Sequence, residues 1–119
     1  MEIHYYKDSN GHQPVYEWLK EIQKYDQITW RKFYQLQIML KENGEKIHSG
    51  EIKRKDIKKL KGTKIWQLRI NNNRVLFFYF LEDNIVFTNQ FKKKSNQTPE
   101  NEIIRAENRR NDWINNHEL

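Results

Sequence analysis

The stretch IKKLKGTKIWQLRINNNRVLFFYFLEDNIVFTNQFKKK, residues 57–94, decides the fold. Runs of β-branched and aromatic residues separated by polar turns are typical of strands. The stretch therefore predicts a basic loop and then three strands, which cover residues 64–70, 74–81 and 84–91. The turns at 71–73 and 82–83 are short enough to require antiparallel hairpins, and asparagine suits the positive φ angles of such turns.

The segment before this stretch predicts one strand and two helices. Residues 2–6 are β-prone and end in a turn-forming cluster, so they predict a first strand. Apolar residues at helical spacing predict a short helix from Pro14 to about residue 24 and a second from about 27 to 42. Asn43-Gly44 is a helix stop signal, and the charged residues 45–56 show no clean period. They predict a loop.

The segment after the stretch predicts a last helix. Thr98-Pro99 combines an N-cap residue with a first-turn proline, and Glu100 and Glu102 place negative charge where the helix dipole favours it. The helix is expected to run to about Trp113, followed by a frayed tail at 115–119. The whole order, β-α-α-β-β-β-α, predicts an α+β fold with a small antiparallel sheet and a helical hairpin packed on one face.

Charge is concentrated in the central part of the chain. Residues 53–94 hold twelve Lys or Arg against three acidic residues, a net charge of +9, while the rest of the chain carries −3. A basic block of this kind indicates a polyanionic partner, of which nucleic acid is the commonest, although a solubilising lysine-rich surface has the same signature.

Length and composition limit the other possibilities. The 119 residues, with two prolines and four glycines, fit one domain over 1–119 without an internal linker. The absence of cysteine excludes disulfides and thiolate chemistry and is typical of a reducing compartment. Because the N-terminal ten residues lack the apolar run of a signal peptide and no stretch is long enough to span a membrane, we expect a cytoplasmic protein.

Familiar catalytic signatures are missing, so attention falls on the basic residues of the strands. There is no phosphate-binding glycine loop, no metal-type His/Asp spacing and no serine in a nucleophile turn, and we expect neither a cofactor nor a metal ion. Arg69 and Arg74 flank one hairpin turn, which would bring them together across adjacent strands. The group Lys92 to Lys94 returns to the same end of the sheet. Either these cations bind phosphate, or the arginines pair with acidic residues of a helix and the lysines are only solvated.

At these residues the chain resembles a known family. The runs KKLKG (58–62), WQLRI (66–70), NRVLFFYF (73–80) and FKKKSNQTPENEI (91–103), together with DSNGHQPVYEWLKEI (8–22), resemble the RelE/HigB toxin superfamily, specifically the phage-derived Gp49-like branch of HigB-type toxins. The resemblance covers nearly the whole chain. It implies a type II toxin domain neutralised by a cognate antitoxin, often a helix-turn-helix protein of the HigA kind.

The resemblance also implies an activity and residues that perform it. Such toxins cleave translated mRNA in the ribosomal A site without a metal ion, by attack of a 2′-hydroxyl. The matching positions imply that Arg69 and Arg74 bind the scissile phosphate and that Lys92 or Lys94 acts as the acid. The remaining basic residues are expected to bind RNA and the ribosome: Lys53, Arg54, Lys55, Lys58, Lys59, Lys61 and Lys93. No general base is apparent.

Two alternatives stay open on the same fold. One is a ParE-like toxin that inhibits DNA gyrase and cleaves no RNA. The other is a non-catalytic module that binds an antitoxin or nucleic acid, such as the product of a decayed prophage gene. A resemblance in fold does not choose among these activities.

Overall fold

A computed structural model of the chain describes residues 1–117, so residues 118–119 of the expected tail lie outside the described part. The described part contains five strands and three helices. In chain order they are β1 (Glu2–Tyr5), α1 (Pro14–Tyr25), α2 (Gln27–Ser49), β2 (Ile57–Lys59), β3 (Trp66–Ile70), β4 (Asn73–Phe80), β5 (Asn84–Lys92) and α3 (Glu100–His117).

The strands form one sheet in the order β1-β5-β4-β3-β2. The α+β fold and the two predicted hairpins are confirmed, because β3, β4 and β5 pair antiparallel in sequence. Two details differ from the prediction. Strand β1 pairs parallel with β5, so the sheet is mixed, and residues 57–59 of the expected basic loop form an extra edge strand on β3.

Helix α2 is longer than predicted because Gly44 is used for close packing and not as a stop. A Cβ at this position would collide with Sδ of Met1 and would lie 3.2 Å from Cδ1 of Ile85. The helix passes over the sheet here, and its carbonyl at Gly44 accepts a hydrogen bond of 2.9 Å from the Tyr79 hydroxyl. The real stop is Gly50, which takes the left-handed conformation at the C-cap with φ 84°.

Both faces of the sheet carry apolar side chains, and a different set of helices covers each face. The α1–α2 hairpin packs on one face, where Phe33 and Leu40 meet Phe77 and Phe87. Helix α3 packs on the other face through Ala106 and Trp113, which meet Phe78 and Val86. Among the apolar residues of this helix, Ala106 and Trp113 are buried and Ile103 is half-buried.

Helix α3 is fixed over β5 by hydrogen bonds from its first and third turns. Nδ2 of Asn89 donates to Oε1 of Glu102 over 3.0 Å, and Nη1 of Arg109 donates to the carbonyl of Thr88 over 2.8 Å. The helix packs on β5 and β4 and leaves the far end of β3 open. None of the helices among residues 1–117 is both long and apolar enough to cross a membrane.

Candidate active site

The hairpin between β3 and β4 places two arginines side by side. Arg69 and Arg74 are directly opposed in the strand register, on the α3 face of the sheet. Asn71 takes the positive φ of 55° that the tight turn needs. Nη1 of Arg74 donates to the carbonyls of Asn71 and Asn73, over 2.8 and 2.9 Å, and this holds its guanidinium at the turn.

Strand β5 brings a lysine to the same turn by way of a β-bulge. The register with β4 shifts between Leu76 and Phe77, which leaves Thr88 as an extra residue in β5. Val86 lies on the α3 face, so without a bulge the side chains of residues 88, 90 and 92 would lie on that face too. With the bulge, the odd-numbered residues after Thr88 lie on the α3 face instead, and Phe91 opposes Arg74 on that face. The backbone amide of Lys93 then donates to the carbonyl of Asn72 over 2.6 Å.

These elements enclose an open recess of about 450 Å³, called the basic groove below. One wall is β2 with the loop that follows it, the floor is the end of β3 and β4, and the other wall is the connection from β5 to α3. Its lining residues are Lys58, Lys59, Leu60, Lys61, Gln67, Arg69, Arg74, Phe91, Lys93, Ser95, Asn96, Gln97 and Thr98.

The basic groove is strongly positive and holds no counter-charge. Six of its thirteen lining residues are Lys or Arg, and none is Asp, Glu or His. Within residues 1–117 neither Arg69 nor Arg74 forms a salt bridge. Burial, and then the nearby charge of Arg69, lowers the pKa of the Arg74 guanidinium. Like charges gathered in this way are unfavourable unless an anion lies between them.

A neutral side chain on the floor of the groove is fixed by a hydrogen bond. Gln67 is only 4% exposed, and its Oε1 accepts a hydrogen bond of 2.8 Å from the Thr98 hydroxyl. This bond also holds the connection before α3 against the sheet. With Oε1 occupied, Nε2 of Gln67 remains as a donor beside the arginines. Across residues 1–117, no cluster of three or more His, Cys, Asp or Glu side chains is placed to hold a metal ion.

Comparison with known proteins identifies the family of this chain. The family model described as "Phage derived protein Gp49-like (DUF891)" matches residues 17–111, which is most of the chain. The chain belongs to the Gp49-like family. This family belongs to the RelE/HigB-like toxin superfamily. No curated protein matches the chain.

In this Gp49-like protein the structure separates the residues predicted to be catalytic. Arg69 and Arg74 meet in the basic groove. Lys92 opposes Asn73 on the other face of the sheet, and Lys94 is exposed outside the lining of the groove. Hydrogen bonds from Thr29 hold the pKa of Asp26 below its usual range, and the charge of Lys92 adds to this. Lys93, predicted only to bind RNA, takes the place in the groove that Lys92 and Lys94 were expected to have.

The residues predicted to bind RNA or the ribosome are divided in the same way. Besides Lys93, the lysines at 58, 59 and 61 line the basic groove, whereas Lys53 and Lys55 lie outside it. Arg54 is engaged within the protein, since its Nε donates to Oδ1 of Asp56 over 2.9 Å. Lys32 reaches the same carboxylate over 3.0 Å. Burial disfavours ionisation of Asp56, but these hydrogen bonds outweigh it and keep the pKa of the carboxyl below its usual range.

Several lining residues could not be identified from the sequence. The sequence predicts a strand at Phe91 and a helix cap at Thr98, and residues 95–97 have no pattern of their own that predicts a site. A polar run before a helix is ordinary in a loop, and nothing local shows that it folds back across the sheet. Gln67 was the one available clue, because a buried amide inside an apolar strand needs a partner.

Proposed function

We propose that this Gp49-like protein is the toxin of a type II toxin-antitoxin system, of the HigB-type branch, and a ribosome-dependent endonuclease of translated mRNA. The observation that carries the proposal is the opposed pair Arg69 and Arg74, unpaired with any acid in residues 1–117, on the floor of a groove lined by cations. Its ribosomal target lies in the cytoplasm. A helix-turn-helix antitoxin of the HigA kind would neutralise it.

The chemistry that suits this groove is transesterification of RNA. The 2′-oxygen attacks the adjacent phosphorus and the bond from phosphorus to the 5′-oxygen breaks, which leaves a 2′,3′-cyclic phosphate and a free 5′-hydroxyl. Negative charge builds on the non-bridging oxygens, where the guanidinium groups of Arg69 and Arg74 stabilise it. The need for a 2′-hydroxyl restricts the reaction to RNA.

Proton transfer in this scheme falls to lysine. One proton must pass from the 2′-hydroxyl to a neutral amine of the groove or to water, and one must pass from an ammonium group to the 5′-oxygen. Among the lining residues there is no carboxylate or imidazole, and arginine does not release its proton. The amines of Lys58, Lys59, Lys61 and Lys93 are the side-chain groups of the groove that can carry a transferable proton. We assign Lys93 as the acid, because its backbone is tied to the turn that carries Arg74.

The test is to map the 5′ ends of cellular mRNA after brief induction of the wild type, Arg69→Ala, Arg74→Ala and a control, Arg31→Ala. Arg31 is exposed on α2, away from the groove. Removing one such charge stabiliser is expected to slow cleavage by about 10²–10³-fold, whereas the control cleaves normally. Circular dichroism of each purified variant establishes that it is folded.

Other results would contradict the proposal. Normal cleavage by folded Arg74→Ala would mean that the arginine pair is not the site. Intact mRNA with DNA damage during growth arrest would favour the ParE-like alternative, and a harmless folded protein in the absence of antitoxin would favour the non-catalytic one.

A further inference from the structure

A second recess opens at the start of β3, with a volume of about 280 Å³, and is called the edge pocket below. Three cations from three different elements converge on it: Lys59 from β2, Lys64 from the loop after it and Arg110 from α3. Within residues 1–117 none of the three forms a salt bridge. Their mutual repulsion would fall if an anion occupied the recess.

Arg110 is the best placed of these cations to hold a ligand. Its guanidinium lies over the ring of Phe78, with 5.9 Å from Cζ to the ring centroid. Its Nε is enclosed and has no hydrogen-bond partner among the described residues. Most buried arginine donors are paired with a protein acceptor. This guanidinium is held in place by packing and is not neutralised by the protein.

Aromatic rings stand beside the three cations. The rings of His48 and Tyr79 are 4.4 Å apart between centroids, and Trp66 and Tyr79 meet edge to face at 5.5 Å. The hydroxyl of Tyr79 is fixed to the Gly44 carbonyl, while His48 is exposed. Cations next to aromatic rings are the combination that binds single-stranded nucleic acid, because phosphates contact the cations and bases stack on the rings.

The edge pocket lies between the basic groove and an acidic surface. Lys59 lines both the groove and the edge pocket. On the far side, the edge pocket shares His48 and Tyr79 with a recess lined by Glu45, Glu82 and Asp83. The positive surface therefore continues from the groove into the edge pocket and ends there.

We propose that the edge pocket binds a further nucleotide of the RNA strand whose scissile phosphate lies in the basic groove, and that the RNA path ends at this pocket. The proposal rests on the proposed function for its ligand. It adds a second binding site, some distance along the strand from the site of cleavage, which stabilises the complex without taking part in the chemistry.

The test measures RNA binding by the purified full chain. The probes are fluorescently labelled 2′-O-methyl oligouridylates of three and eight nucleotides, which have no free 2′-hydroxyl and are not cleaved. The variant is Lys64→Gln with Arg110→Gln, and the matched control is Lys7→Gln with Arg31→Gln. Both control residues are exposed and lie outside both recesses.

The edge-pocket variant is expected to bind the octanucleotide at least tenfold more weakly than the control does, while both bind the trinucleotide equally. Its salt dependence should also be shallower, because the slope falls by about 0.7 for each phosphate of a single strand that the protein no longer neutralises. Equal octanucleotide affinities for the two variants would overturn the proposal. So would tighter binding of an octaglutamate peptide, abolished in the same variant, which would assign the pocket to an acidic protein partner.

This measurement is independent of cleavage in cells. If mRNA stays intact on induction but the octanucleotide still loses affinity in the edge-pocket variant, the second site stands and the proposed function fails. If mRNA is cleaved but the affinities are equal, the proposed function stands and the second site fails.

Discussion

The two faces of the sheet use the same strands in opposite ways. On the α1–α2 face, β3 and β4 present Leu68, Ile70, Val75 and Phe77, all fully buried. On the α3 face the same two strands are apolar at one end only. Towards their shared turn they present Gln67, Arg69 and Arg74, and no helix covers them. Successive side chains of a strand point to opposite faces, so one hairpin builds both a sealed core and an open charged floor.

The difference teaches where this fold can hold a reactive site. A cation under α1 and α2 would lose its hydration without compensation, and that cost forbids a charged cluster there. Helix α3 begins at Glu100 and packs on β5 and β4, so the end of β3 stays open to solvent. The charged residues occupy the part of the sheet that the helices leave uncovered.

Matched phenylalanine substitutions give the largest expected contrast between the faces. Phe77→Ala is expected to lower the free energy of unfolding by about 3–5 kcal/mol, because Phe77 is fully buried among Trp66, Tyr79 and Phe87. Phe91→Ala, on the half-buried side of the groove, is expected to cost about 1–2 kcal/mol. Urea denaturation measures both values. Equal losses would show that the groove is part of the core and would remove the contrast.

The sequence was sufficient for the parts of this fold that depend on local pattern. Alternation and the asparagine turn predict the β3–β4 hairpin and, with it, the meeting of Arg69 and Arg74. The parallel pairing of β1 with β5 could not be predicted from the sequence, because it joins segments about eighty residues apart and no local sequence pattern indicates it. The helix stop predicted at Gly44 was wrong, because a glycine needed for close packing cannot be told in a sequence from one that ends a helix.

The candidate site was less predictable because it depends on one inserted residue. Without the bulge at Thr88, Lys92 and Lys94 would share the face of Val86, as the prediction of their role required. With it, Lys93 comes to the groove and Lys92 turns to the other face. A β-bulge has no reliable sequence signature, and a shift of one residue exchanges every side chain beyond it.

A paired arginine offers the next contrast with the unpaired arginines of the groove. Arg54→Gln is expected to destabilise the fold by about 1–2 kcal/mol near neutral pH, because Asp56 loses its bidentate partner and keeps only Lys32. Since the pKa of Asp56 is lowered in the folded state, its stabilising effect is present above its unfolded pKa of 3.8 and is lost as the pH falls through the folded value.

The pH dependence of this variant provides its control. The difference in unfolding free energy between wild type and Arg54→Gln should be greatest at about pH 5 to 7 and should shrink below about pH 4. Thermal or urea unfolding across this range measures it. A difference that stays constant down to about pH 2 would mean that Arg54 stabilises the fold through packing and not through the Asp56 carboxylate.

The smallest expected effect has the opposite sign and is the most specific to the groove. Arg69→Gln should raise the free energy of unfolding by about 0.2–1 kcal/mol, because it removes a like charge directly opposite Arg74. Arg69→Glu should raise it further by supplying a partner for Arg74, and added salt should reduce both gains. Arg31→Gln is the control, since Arg31 is exposed on a helix and opposes no other cation in the sheet. The same two substitutions at Arg69 are expected to slow mRNA cleavage by at least about 10²–10³-fold, so stability and activity would change in opposite directions at one residue. A loss of stability in Arg69→Gln would instead show that Arg69 stabilises the fold, as Arg54 does, and would count against the arginine pair as a binding site.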